Sequence, residues 1–190
     1  RRVLSEEVRG DFERISKMSR DLVSSLYETV WAVDPENDNL ESLGSFICET
    51  ASQLCGAAEL RCALERMDLP RDVQISSHVR HSVVMAVKEG IHNVIKHANA
   101  TEVTVRVEFK NSVLTISIRD NGRGFQTSDL GNGLPNMRRR LVDIGGVCLV
   151  ESSATDGTTV QMRLSIPTLG PASRKTLFYR ARKPGPFPTN

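Results

Sequence analysis

What the sequence lacks limits the classes of protein it can encode. It has no signal peptide, no apolar run of membrane-spanning length, no internal repeat and no low-complexity tract. Its four cysteines form no CxxC pair and are not spaced with histidines as zinc ligands, which argues against a zinc site. Cys48 and Cys55 lie seven residues apart on one face of a predicted helix, so we expect buried free thiols and a reducing compartment.

Acidic residues are missing from the end of the chain. From Thr168 onward there are five basic residues and no acid, which leaves 20 basic against 23 acidic residues before it. A basic tail can contact nucleic acid or acidic lipid, but the prolines and glycines at 170–171 and 184–186 favour a solvated, disordered end. We therefore expect no nucleic-acid partner.

The rest of the composition is that of an ordinary globular protein, with 39% apolar and 25% charged residues among 190. Residue 1 is Arg rather than an initiator Met, so we expect the chain to be part of a longer protein. Any membrane anchor would then lie outside it.

Two helices are predicted at the start of the chain. The first covers residues 12–33 and ends at Asp34-Pro35, because proline disfavours helix in the residue before it. The second begins at a capping box in residues 38–41. Their apolar stripes are Ile15, Met18, Leu22, Leu26, Val30 and Val33 in the first, and Leu40, Leu43, Ile47, Cys48, Ala51 and Leu54 in the second. These stripes either pack on the following domain or form a helical hairpin or dimer bundle, and we favour the bundle.

Alternating and helical patterns then follow one another along residues 57–167. In order we predict a strand at 60–65, a helix at 77–99, strands at 103–109 and 113–120, a helix at 134–144, and a hairpin of 147–151 with 159–166. This order indicates an α+β fold, a two-layer α/β sandwich whose mixed sheet carries helices on one face, preceded by the two N-terminal helices. We divide the chain into a helical region at 1–56, a domain at 57–167 and a tail at 168–190.

Asp120-Asn121-Gly122-Arg123-Gly124-Phe125 follows the alternating strand at 113–120. A strand that ends in an acid and two glycines presents one fixed carboxylate beside a backbone that a flat ligand can approach closely. A tight turn after a strand explains this segment equally well.

Two further segments carry polar chemistry. Glu89, Asn93 and Lys96 or His97 share one face of the long helix, and such a face could hold a hydrated magnesium ion with its phosphates. A plain solvent-facing helix surface is the alternative. The stretch from Gly131 to Leu134 opens a helix, where amide donors and the positive end of the helix dipole suit a phosphate, although most such glycine pairs are turns.

Together these segments resemble the ATP-binding domain that sensor histidine kinases share with gyrase and heat-shock chaperone ATPases. Residues 89–100 resemble the N box, 120–125 the first glycine box, 131–134 the second and 157–159 the closing Gly-Thr element. The form of the N box is similar to that of the subfamily that pairs with helix-turn-helix response regulators. Residues 26–43 resemble the end of that subfamily's dimerisation hairpin.

The resemblance implies roles for individual residues at the adenine end of a nucleotide. Asp120 would accept a hydrogen bond from the exocyclic amine of adenine, and Thr158 would support the same base. Gly122 and Gly124 would let the backbone close over the nucleotide.

At the phosphate end, the resemblance implies that Asn93 ligates Mg²⁺ while Lys96 and His97 contact phosphate or the lid. Glu89 would act on the attacking histidine during phosphoryl transfer. The second glycine box would hinge the lid and place amide donors near the phosphates; its residues are Gly131, Gly133 and Leu134.

The four histidines are His78, His81, His92 and His97, and none occurs in residues 1–60, where a phosphoacceptor would lie. We therefore expect a histidine kinase fragment that binds ATP and Mg²⁺ but cannot phosphorylate itself. Its partners would be a response regulator and a second copy bound through the N-terminal helices, on the cytoplasmic side of a membrane-anchored sensor. An ATP hydrolase of the same superfamily, with Glu89 activating water, and a non-catalytic dimerisation or docking module stay open.

Overall fold

The computed structural model describes residues 6–125 and 133–167. Predictions for Gly131 and for the basic tail therefore fall outside the described residues. The helices and strands are α1 (Glu6–Val33), α2 (Leu40–Ala57), β1 (Arg61–Arg66), α3 (Ser77–Asn93), β2 (Glu102–Lys110), β3 (Val113–Asp120), α4 (Gly133–Asp143), β4 (Gly146–Ser153) and β5 (Gly157–Ser165).

The five strands form one mixed sheet in the order β1-β2-β3-β5-β4. β1 pairs with β2 in parallel, and the other neighbours are antiparallel. On β2, β3 and β5 buried, mostly apolar side chains alternate with more exposed ones, because strand side chains alternate between the two faces. Helices α2, α3 and α4 pack on that apolar face, which confirms the predicted two-layer α+β sandwich.

The packing of α2 differs from the predicted helical bundle. Leu40, Leu43, Ile47 and Ala51 are fully buried in the same core as α3 and the sheet. Eight of the residues of α2 are buried, a stripe wide enough to cover a sheet rather than the narrow seam of a coiled coil. The division at residue 56 therefore does not follow the packing, because the packed domain already begins with α2.

The start of α2 also differs from the predicted capping box. The N-cap is Asn39, whose side chain accepts a hydrogen bond from the Ser42 amide at 2.9 Å. Asp38 is used elsewhere, as the partner of the buried Arg80.

The apolar stripe of α1 is exposed. Five side chains of this stripe are 62–65% exposed: Ile15, Met18, Leu22, Leu26 and Val30. No other segment in the described part of the chain therefore covers this face. Of the two predicted stripes, only that of α2 enters the core, through Leu40, Leu43, Ile47 and Ala51. None of the helices within residues 6–125 and 133–167 is both long enough and apolar enough to cross a membrane.

The cysteines are free, as predicted for Cys48 and Cys55. Cys55 is fully buried, and burial raises the pKa of its thiol to about 12, with a further contribution from Cys62. Cys48 is only partly buried, so the expected burial holds for one of the two.

Candidate functional site

A cleft of about 740 Å³ lies between the C-terminal half of α3, the end of β3, the first turn of α4 and the β4–β5 hairpin. Most of the predicted site residues line it: Glu89, Asn93, Lys96, His97, Asp120, Gly124, Gly133, Leu134 and Thr158. Gly122 lies beside it, bound to Asp120. The cleft thus brings together segments that are up to 71 positions apart in sequence, from Glu89 to Val160.

The carboxylate of Asp120 is held rigidly at one end of the cleft. Its side chain is 4% exposed, and Oδ1 accepts hydrogen bonds from the amides of Gly122 at 2.8 Å and Thr158 at 3.2 Å. Within the described ranges no donor bonds Oδ2. A buried carboxylate with one oxygen already oriented can use the other to select a ligand amine.

The hairpin comes close to Asp120 because of Gly157. Its φ is +75°, and a Cβ at this position would lie 2.2 Å from the backbone oxygen of Asp120. Only glycine adopts this conformation without strain and leaves space for the neighbouring strand. This contact puts Thr158, 7% exposed, next to the carboxylate.

The other end of the cleft is formed by Glu89 and Asn93 on α3 and by the start of α4. A Cβ on Gly133 would lie 2.2 Å from Glu89 Oε1 and 3.3 Å from Asn93 Oδ1, so the first turn of α4 lies against both side chains. Asn93 Nδ2 is buried and has no hydrogen-bond partner in the described part of the chain. A buried amide donor without a partner costs free energy, and a ligand that accepts a hydrogen bond from it removes that cost.

A protein-built metal site is absent from the described ranges, where no group of three or more His, Cys, Asp and Glu side chains is placed to hold an ion. The residues fit Mg²⁺ only in its usual nucleotide-bound form, in which phosphates and water supply most oxygens. Asn93 and Glu89 offer the hard oxygen donors that such an ion prefers.

Lys96 and His97 are exposed at the rim of the cleft. They lie on a single π-helical turn, Val94–Ala98, that continues α3, so the predicted helix to residue 99 is correct in extent but changes its winding. Such turns occur often at functional sites. Arg123 Nε donates to the His97 carbonyl at 3.1 Å, and the Arg123 amide donates to the Ala98 carbonyl at 2.9 Å, which fixes the glycine-rich turn against α3.

Ser152 is a cleft residue that the sequence reasoning missed. Its hydroxyl accepts a hydrogen bond from the Phe125 amide at 2.9 Å and lies 3.1 Å from Thr158 Oγ1. Ser152 pairs with Thr158 across the hairpin, so counting back from the predicted turn at Asp156-Gly157 would have found it. The apolar wall was missed too, and it includes Val94, Ile118 and Val160.

Residues 78–168 match the profile of the family described as histidine kinase-, DNA gyrase B-, and HSP90-like ATPase. Among curated relatives, the sensor histidine kinase LiaS of Bacillus subtilis is 35% identical over 99 residues, which cover 50% of this chain and 28% of LiaS.

Two other curated relatives match a similar segment. The sensor protein VraS of Staphylococcus aureus is 30% identical over 49% of this chain and 28% of VraS. The signal transduction histidine-protein kinase/phosphatase DegS of Brevibacillus brevis is 32% identical over 48% of this chain and 24% of DegS. The matched segment therefore spans only about a quarter of the length of each of these three relatives.

Solved histidine kinase structures share the fold. The histidine kinase domain of the Erythrobacter litoralis EL346 blue-light activated kinase superposes with a TM-score of 0.59 at 15% identity, over 70% of this chain and 66% of that one. The histidine kinase AdeS of Acinetobacter baumannii gives a TM-score of 0.59 at 16% identity, over 88% of both chains.

Proposed function

We propose that this chain carries an ATP-binding domain of the kind found in sensor histidine kinases, because residues 78–168 match the family of histidine kinase-, DNA gyrase B- and HSP90-like ATPases. It binds ATP with Mg²⁺ in the cleft and transfers the γ-phosphoryl group to a histidine that lies upstream of residue 1. The phosphoryl group then passes to a response regulator.

The observation that carries this proposal is the placement of Asp120 and Asn93 in one cleft, with a buried carboxylate at one end and an unpartnered amide at the other. Asp120 Oδ2 accepts a hydrogen bond from the exocyclic amine of adenine. The apolar wall between the two ends packs on the purine ring, since flat aromatic ligands bind in mainly apolar pockets with few polar groups.

The phosphates lie at the α3 and α4 end of the cleft. Asn93 would hold the Mg²⁺ ion, which would neutralise phosphate charge, and the exposed Lys96 ammonium and His97 imidazole contact the phosphates from the rim. Gly133 and Leu134 supply amides at the N-terminus of α4, where an anion is stabilised by the helix dipole. Together with Gly131, these two residues would form the hinge of the proposed lid over the phosphates.

Glu89 polarises the attacking histidine. Phosphoryl transfer depends mainly on positioning and on stabilising charge, so one carboxylate beside the nucleotide is an adequate catalytic group. Because the histidines of this chain lie at 78–97, within α3 and its π turn, we expect no self-phosphorylation by the 190 residues alone.

Self-association would use the exposed stripe of α1. Ten large apolar side chains described from Val8 to Val33 are at least 44% exposed, and a second copy would cover them. This contact would join two kinase chains on the cytoplasmic side of a membrane-anchored sensor.

Calorimetry with ADP and Mg²⁺ tests the proposal through Asp120→Asn. This change keeps the shape of the side chain but replaces a charged acceptor, so we expect ADP affinity to fall at least about tenfold. Asp68→Asn is the matched control, since Asp68 is exposed in the connector before α3 and does not line the cleft. Unchanged affinity in Asp120→Asn would remove the proposal.

A further inference from the structure

The joint between α1 and the rest of the fold depends on a charged side chain from α3. α1 ends because Pro35 has no N–H group to donate to the carbonyl of Trp31, four residues earlier. The next amide, that of Glu36, donates to the Asp34 side chain at 3.0 Å instead of to the Ala32 carbonyl. Two carbonyls at the end of α1 therefore lose their helical donors.

Arg80 supplies donors to both carbonyls, and Asn37 Nδ2 adds a second donor to that of Trp31 at 3.3 Å. Its side chain is fully buried, and its guanidinium donates to the carbonyls of Trp31 at 3.1 Å, Ala32 at 2.8 Å and Asp34 at 3.2 Å. It also pairs with the Asp38 carboxylate at 2.6 Å. A buried charge is tolerated only when it is paired and hydrogen-bonded in this way.

Two more contacts hold the same joint. The Arg80 guanidinium lies 5.0 Å from the centre of the Trp31 ring, which stacks on Phe46 of α2 at 3.9 Å. One turn before Trp31, Glu28 pairs with Lys88 of α3 at 2.5 Å, and both side chains are mostly buried. The last two turns of α1 are thus fixed to the helix that also carries Glu89 and Asn93.

We propose that Arg80 is a positioning residue that fixes the direction in which α1, and the chain upstream of it, leaves the nucleotide-binding domain. This inference rests on the proposed function, because direction matters only if an upstream histidine must reach the cleft. Arg80 acts through the end of α1 and not on the nucleotide, since 13 residues of helix, about 20 Å, separate it from Asn93.

Trp31 is the only tryptophan of the chain, so its fluorescence reports on this joint alone. In Arg80→Met, we expect Trp31 emission to shift toward that of a solvated indole and the amides in the last turn of α1 to exchange hydrogen at least about tenfold faster. The ADP affinity and the exchange protection of β3 and β5 should stay at the wild-type level. A general loss of stability would instead raise exchange throughout the sheet.

Two further variants keep the test decisive. Arg106→Met is the matched control, because Arg106 is an arginine on the open face of the sheet, and among the described residues it pairs with Glu65 and Glu108. Asp38→Asn leaves Arg80 in place and removes its carboxylate partner, so it should give a smaller change of the same sign. If Arg80→Met does not fold, Asp38→Asn tests by itself whether Arg80 fixes α1.

The outcomes separate the two proposals. If the folded Arg80→Met and Asp38→Asn variants kept the wild-type Trp31 emission and the wild-type amide exchange in the last turn of α1, the proposed role of Arg80 would be overturned. Absence of ADP binding by the wild-type chain would count against the proposed function, while the Trp31 measurements would still report whether Arg80 fixes α1.

Discussion

At the scale of single residues, the cleft depends on backbone positions that tolerate no side chain. Gly157→Ala places a Cβ where the Asp120 carbonyl lies and forces a φ of +75° on an L-residue. The conformational term alone costs about 1–2 kcal/mol, and the overlap with backbone adds to it. We expect Gly157→Ala to lower the free energy of unfolding by at least that amount, measured by urea denaturation, and to weaken ADP binding.

Gly56→Ala is the control for this prediction. Gly56 lies near the exposed end of α2, where a Cβ would meet no atom within 4 Å. Alanine in a helix is more favourable than glycine by about 0.5–1 kcal/mol, so the control should be neutral or stabilising. Equal stability of the two variants would contradict the close approach of the hairpin to Asp120.

His92 gives the stability a dependence on pH. Burial, followed by the charges of Lys96 and Lys88, lowers its pKa from 6.5, against the opposing effect of Glu89 and Glu28. The unfolded chain therefore takes up a proton at a higher pH than the folded one. The free energy of unfolding should be highest above pH 6.5 and should fall as the pH drops toward the folded pKa.

Urea denaturation across this pH range measures the effect. In His92→Gln the fall should be smaller than in the wild type, while His81→Gln, at an exposed position of the same helix, should keep the wild-type slope. A wild-type slope in His92→Gln would show that another group is responsible.

At the scale of elements, α2 belongs to the domain core. Leu43→Ala removes a side chain with 0% exposure and should cost about 2–5 kcal/mol of the free energy of unfolding. Leu149→Ala, the same change at a 49% exposed position of β4, should cost about 1 kcal/mol or less. If α2 packed only in a dimer bundle, Leu43→Ala would change self-association and leave the unfolding of the sheet as it is.

Most elements could be predicted from periodicity, because burial on one face imposes a period of two on strands and 3.6 on helices. α4 was predicted within one residue at each end, and β3 ends at Asp120 as expected. The surface against which the α2 stripe packs could not be predicted, because the sequence of an apolar helix face does not identify the surface that covers it. The role of Arg80 could not be predicted for a similar reason. It donates to backbone carbonyls, which every residue has, so the sequence does not indicate these contacts.

At the scale of the whole molecule, the strand order brings segments that are distant in sequence to the same end of the sheet. β3 lies between β2 and β5, so the end of β3 meets the β4–β5 hairpin, while α3 crosses the same face. The four motifs predicted a common pocket through the resemblance to a known family. The distances within it, and the hydroxyl of Ser152, depend on strand register and could only come from the structure.

The central claim is that one cleft holds the base at Asp120 and the phosphates near Asn93, and an NMR titration with ADP and Mg²⁺ tests it most directly. The largest shifts should fall on the amides of Gly122 and Thr158 and on the side-chain amide of Asn93, while the amide of Arg106, on the open side of β2, should stay unchanged. If the resonances of these three groups did not shift, or if the shifted resonances clustered on the open face of the sheet, the account would be contradicted.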